Sequence, residues 1–231
     1  MAELTPSRRT LVRGAAWSVP VVAVAATAPA YAASNCAGQP AHTMNLAKKT
    51  GSDGTTLSVT SVATGVTVGP HNLSTSDPAF PLSGWLELEN VPRATAATNP
   101  TRYQDVTFTF GQSVSLLEFT LSDLDSTQTW TQSYWDRVAI INSASGFQAT
   151  PVVPGNTAVT GAGTLNDPLR QTTFTSSTPA LNNDTSRQMK VAFTGTTQSI
   201  TIRFWSSRDT FQSGTHAVWI GNMTYKTNCS V

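Results

Sequence analysis

Residues 105–125 read DVTFTFGQSVSLLEFTLSDLD. Val106, Phe108 and Phe110 alternate with Thr107 and Thr109, and Leu117, Phe119 and Leu121 alternate with Glu118, Thr120 and Ser122. A period of two sends successive side chains to opposite faces of a strand, so each half has one dry and one wet face, as in an antiparallel sheet with one side on a core. The pair Gly111-Gln112 between the halves suggests a tight turn and a hairpin.

The same period recurs outward from this stretch. Strands are expected at Leu57–Val62, Trp85–Leu88, Arg137–Asn142, Gln188–Thr194, Ser199–Trp205 and Ala217–Tyr225, with weaker ones near Val66, Phe147–Val153 and Thr172–Thr175. No segment shows a sustained period of 3.6. Roughly ten short strands joined by turn-rich segments predict an all-β, antiparallel two-sheet sandwich of jelly-roll-like form. Pro92–Arg102 and Gly155–Arg170 are expected to be surface loops.

The first 32 residues have a different logic. A basic start, an apolar run over Gly14–Pro29 broken by Ser18, Pro20 and Thr27, and Ala30-Tyr31-Ala32 form the three parts of a secretory signal, with cleavage before Ala33. The run is too short and too rich in Ala for a membrane-spanning helix, so no stable membrane anchor is expected. Ser7-Arg8-Arg9-Thr10-Leu11-Val12-Arg13 resembles the twin-arginine consensus. The resemblance implies export of a folded chain by the twin-arginine translocase, removal of residues 1–32 by signal peptidase, and a prokaryotic source of actinobacterial style. Residues 33–231 would then be one secreted domain, extracellular or associated with the cell surface.

Composition narrows the function. The sequence holds 14 basic and 13 acidic residues; losing Arg8, Arg9, Arg13 and Glu3 leaves 11 and 12, a net charge near −1. Such a chain has no basic field for nucleic acid. Cys36 and Cys229 stand at opposite ends of the mature chain, in a compartment where disulfides persist, and a staple joining the termini is the economical reading. A loop of this length would contribute up to ~5 kcal/mol in the chain-entropy model.

Continuing the alternation past Ser122 sends Asp123 and Asp125 inward, and Asp136 shares phase with Val138 and Ile140 at the mouth of another strand. Carboxylates converging at a sheet end suit a hard cation such as Ca²⁺. The competing reading pairs Arg137 with one aspartate and lets the others cap turns. Trp130, Tyr134 and Trp135 follow the acidic pair, and Trp205, Phe211 and Trp219 come from the last strands. Exposed aromatic faces stack on sugar rings, so Trp130, Tyr134, Trp135 and Arg137 form a candidate polysaccharide platform.

The run Phe108–Asp125 followed by Trp135-Asp136-Arg137-Val138 resembles the pattern F-x-F-x-x-x-V-x-x-L-x-F-x-I-x-D-x-D … D-x-V of jelly-roll-like domains in bacterial secreted and surface proteins. That resemblance implies a non-catalytic extracellular module. Nucleophile-elbow, zinc-protease and phosphate-loop motifs are missing from the sequence. His42, His71 and His216 lie far apart and suit structural or surface roles. Glu87 and Glu89 share a strand face, the placement that the acid and nucleophile of a glycosidase require, but such spacing is common on any solvated sheet face. The function read from these residues is polysaccharide or cell-wall polymer binding. The alternatives are a self-associating envelope component and, further off, a jelly-roll glycosidase.

Overall fold

The computed structural model describes residues 36, 38–76, 84–129, 133–143, 146–176, 183–208 and 214–229. The signal segment with Arg8, Arg9, Ala30 and Ala32 lies outside them, as do Trp130 and Phe211. Asn35–Ser230 forms one compact unit.

The architecture is all-β, as the alternation predicts. Fourteen strands are described: β1 (His42–Asn45), β2 (Thr50–Gly51), β3 (Leu57–Thr64), β4 (Thr67–Val68), β5 (Leu86–Val91), β6 (Tyr103–Ser122), β7 (Ser126–Gln128), β8 (Ser133–Ser143), β9 (Phe147–Pro151), β10 (Val159–Thr160), β11 (Arg170–Gln171), β12 (Met189–Phe193), β13 (Thr196–Ser206) and β14 (His216–Lys226). A 3-10 turn, Thr185–Arg187, is the one helical element described. β10 and β11 form a small sheet, and the other strands join one large antiparallel network through β6.

The hairpin expected at Gly111-Gln112 does not form; β6 runs unbroken through 20 residues. Its first half pairs with β3 and β13, its second with β12 and β14. The inward set changes parity on the way, from Val106, Phe108 and Phe110 to Leu117, Phe119 and Leu121. Leu116, with φ +49, absorbs the change beside a register shift in β13 between Thr197 and Ser199. An added residue of this kind bends a strand and increases its twist, so one strand serves both layers. The core lies between β3, β13 and β8 on one side and β12, β14 and β5 on the other; Phe204 of β13 meets the His216 ring of β14 at 4.3 Å.

The termini are stapled as expected. Cys36 and Cys229 are disulfide-bonded with Cα atoms 4.8 Å apart, and β1 pairs with β14. Asp53, after β2, reinforces the closure by accepting from Tyr225 Oη (2.7 Å) and from Thr55 N (3.0 Å) and Oγ1 (2.9 Å). Burial opposes its charge, but these donors, Tyr225 first, hold its carboxyl at about 2. The stretch Gly155–Arg170 is not simply a surface loop: Val159 and Leu169 are buried in the core, and Leu169 bridges Val138 of β8. The polar 92–102 segment is pinned by Trp205 Nε1, which donates to Ala96 O at 3.1 Å.

Candidate functional site

The three predicted aspartates are brought together at one end of the sandwich and joined by Glu87 of β5. β6 ends at Ser122, and Asp123 adopts φ +67, which turns the chain and buries the carboxyls of both Asp123 and Asp125. Asp136, in β8, is fully enclosed; its Oδ2 accepts from Asp125 N (3.3 Å), and its own N–H donates to Asp125 O (3.0 Å). Desolvation is the main force on these acids. It lifts Asp136 far above the usual carboxylate range, helped by Asp125 and Asp123, and lifts Asp123, helped by Asp125 and Glu87. The same burial and the same carboxyls push the Tyr134 phenol upward, and Tyr134 shares a hydrogen bond with Asp125.

The donor chemistry suits a hard cation, and Asp123 Oδ1 is a buried acceptor with no hydrogen-bond partner. The geometry does not. Both oxygens of Asp136 are already engaged, and among the described residues no three His, Cys, Asp or Glu side chains are arranged to hold a metal ion. The aspartates converge as expected, and this geometry adds no further support to the Ca²⁺ reading. Nor does Arg137 pair with them. It follows Asp136 on β8, so the pleat sends it to the opposite face of the sheet.

Asp136 instead begins a polar chain through the core. His216 Nδ1 lies 2.6 Å from Asp136 Oδ1 and His216 Nε2 2.7 Å from Asn90 Oδ1. Asn90 Nδ2 donates to Gln104 Oε1 (3.1 Å), Gln104 Nε2 to Asn72 Oδ1 (2.6 Å) and Ser61 Oγ (3.0 Å), and Asn72 Nδ2 to Ser61 Oγ (3.3 Å). Because the Asn90 amide nitrogen is spent on Gln104, its oxygen must accept from His216, so Nε2 carries a proton. Burial lowers His216 to about 3 and raises Asp136, which favours the neutral pair, with Asp136 Oδ1–H donating to Nδ1. Every link then donates in one direction, from β8 through β14, β5 and β6 to β3, an arrangement in which hydrogen bonds strengthen one another. This chain was missed from sequence, because its members are spread over 156 positions from Ser61 to His216.

On the outer face of β8 stands a second constellation. The Arg137 guanidinium stacks over Trp135 at 3.9 Å, Trp135 meets Phe174 at 5.6 Å, and Arg208 caps Phe174 at 3.7 Å. Trp135 donates Nε1–H to Gln171 O (3.2 Å), and Arg208 Nη1 donates to Gln128 Oε1 (3.1 Å). Trp135, Phe174 and Arg208 are half-buried and reach the surface. Arg137 is buried, and its Nε and Nη1 have no acceptor; desolvation, then Arg170, lowers it to about 10. Of the predicted platform, Trp135 thus reaches the surface, Tyr134 and Arg137 are enclosed, and Trp130 lies outside the described residues. Phe174 and Arg208 were not anticipated, since only folding brings them to Trp135.

The remaining candidates are structural. Glu87 and Glu89 are buried rather than on a solvated face; Glu89 Oε2 accepts from His71 N (2.7 Å) and packs against Gly69. Trp219 packs with Trp85, which lies on the bare backbone of Gly221. Among the described residues no helix is long and apolar enough to cross a membrane. Compared with protein-family models, curated proteins and solved structures, the chain matches none.

Proposed function

We propose that the protein is an exported, non-catalytic binding module at or near the cell surface, and that its ligand is a polysaccharide or cell-wall polymer. The observation that carries this reading is the strip of Trp135, Phe174 and Arg208, which presents aromatic edges and guanidinium donors at one surface. Sugar rings combine apolar C–H faces with hydroxyl acceptors, and a mixed strip of this kind meets both. The buried acids, by contrast, are committed to one another and to the core. The twin-arginine-like signal and the Cys36–Cys229 disulfide support export to an oxidising compartment.

The test is retention of the mature chain on insoluble cell-wall material and titration with soluble polysaccharides. Binding weakened at least tenfold by Phe174→Ala, with the fold intact, is the expected result. Retention by no polymer, or binding indifferent to Phe174 and Trp135, removes the proposal.

A further inference from the structure

A strand at a sheet edge presents a row of unpaired N–H and C=O groups, and natural sheets blunt such edges by shortness, charge, proline or cover. Most edge strands described here obey. β2 and β4 have two residues each, β7 has three, and β9 ends in Pro151. β3 does not. It runs eight residues, Leu57-Ser58-Val59-Thr60-Ser61-Val62-Ala63-Thr64, with no charge, proline or glycine. Among the described residues it pairs with β6 alone, in unbroken register from Leu57↔Phe110 to Thr64↔Tyr103. Val62, 64% exposed, is the most exposed of the large apolar side chains described.

Two bonds at the start of the strand fix which backbone groups face outward. Gly111 N donates to Thr56 O, and Leu57 N donates to Lys49 O. The alternation of an antiparallel ladder then turns the N–H and C=O of Ser58, Thr60, Val62 and Thr64 toward β6, and those of Val59, Ser61 and Ala63 away from it. The side chains divide the same way: Leu57 is buried, Val59 packs on the core and Ser61 joins the polar chain, while Ser58, Thr60, Val62 and Thr64 are exposed.

We infer that β3 is the pairing edge of a symmetric dimer, in which a second copy of the chain adds its own β3 antiparallel about a two-fold axis through Ser61. In that register Val59 faces the partner's Ala63, and Ser61 faces the partner's Ser61. Thr60 lies beside the partner's Val62. The three facing backbone pairs supply roughly six hydrogen bonds. A two-fold contact requires a surface complementary to itself. A charged edge fails that requirement because the axis sets like charges together; β3 carries none, and it sets Thr against Val, a favourable β-branched cross-strand pair. The contact joins the β3–β6–β13–β8 layers of two copies into one continuous sheet. It does not depend on the polymer-binding reading, since β3 is remote in the sheet order from β8.

A contact of one strand is small, so the dimer is weak. The test is light scattering of the full mature chain from about 10 µM to about 1 mM, the range where such contacts form, with amide exchange measured at both ends. Dimerisation with concentration, and protection of the Val59, Ser61 and Ala63 amides rising alongside it, is the expected result. Ser58, Thr60 and Val62, already bonded to β6, should exchange alike at both ends. Val62→Lys places two ammonium groups across the axis and should weaken the dimer at least tenfold at an unchanged melting temperature; Thr60→Lys is the second variant should the first misfold. A monomer at the highest concentration, a dimer whose outward β3 amides exchange no more slowly, or a dimer indifferent to both lysines would overturn the inference.

Discussion

Asp136 and Arg137 are neighbours on one strand, yet the sheet gives them opposite treatment. Asp136, facing the core, has both oxygens engaged and gives up its charge; its proton begins a chain that stitches the two layers. Arg137, on the other face, is buried just as deeply but keeps its charge over the Trp135 ring, with two nitrogens unbonded. A carboxyl can escape the cost of burial by taking a proton, whereas a guanidinium cannot shed one at accessible pH. The inner face therefore holds a satisfied network, and the outer face a charge supported mainly by stacking.

The largest expected difference comes from deleting each residue. Asp136→Leu strands His216 Nδ1 and Asp125 N–H in the core and should cost about 3 kcal/mol in chemical denaturation. Arg137→Leu removes two unsatisfied donors along with the stacking and should stay within about 1 kcal/mol of wild type. Equal costs would mean that the two faces are not energetically distinct.

Acidity sharpens the same contrast. A carboxyl raised in the folded state, as in Asp136 and Asp123, favours folding below its unfolded pKa near 3.8. That advantage is lost as pH rises toward the folded value. His216, lowered from 6.5 to about 3, favours folding above 6.5 and loses that advantage as pH falls. Between about pH 4 and 6.5 the two tendencies oppose each other; above 6.5 the His216 advantage is complete, and only the loss from the raised carboxyls remains as pH rises. Asp136→Asn keeps a donor toward His216 without a titrating group. Melting curves from pH 4 to 9 should show its stability falling less steeply than wild type toward alkaline pH.

The smallest effect on stability belongs to the surface. Phe174→Ala removes a half-buried ring and should cost about 1 kcal/mol, while polymer binding falls at least tenfold. A loss of stability with unchanged binding would make the strip a structural brace.

What could be read from sequence follows from how local each signal is. The alternation in Val106–Phe110 and Met189–Phe193 reports burial directly, and the positions of Cys36 and Cys229 made a closure of the ends the economical reading. β6 misled because Gly111-Gln112 has turn composition while remaining extended, and the true irregularity, Leu116 at φ +49, carries no turn residue. β1, β2 and β7 are too short to show a period. Asp123, Asp125 and Asp136 were expected to converge because one loop joins them, and they do. Their partners were not found, since Asn72, Asn90, Gln104 and His216 are ordinary polar residues until the two layers close over them. Glu87 and Glu89 looked solvated because alternation assumes one wet face, whereas β5 is covered on both.

The most direct test of this account is the nitrogen NMR spectrum of His216 between about pH 4.5 and 8, the interval that spans an ordinary histidine pKa. The account predicts a neutral ring protonated at Nε2 alone, with shifts that do not change across the range. An imidazolium signal, or a titration centred near the ordinary histidine value, would contradict it.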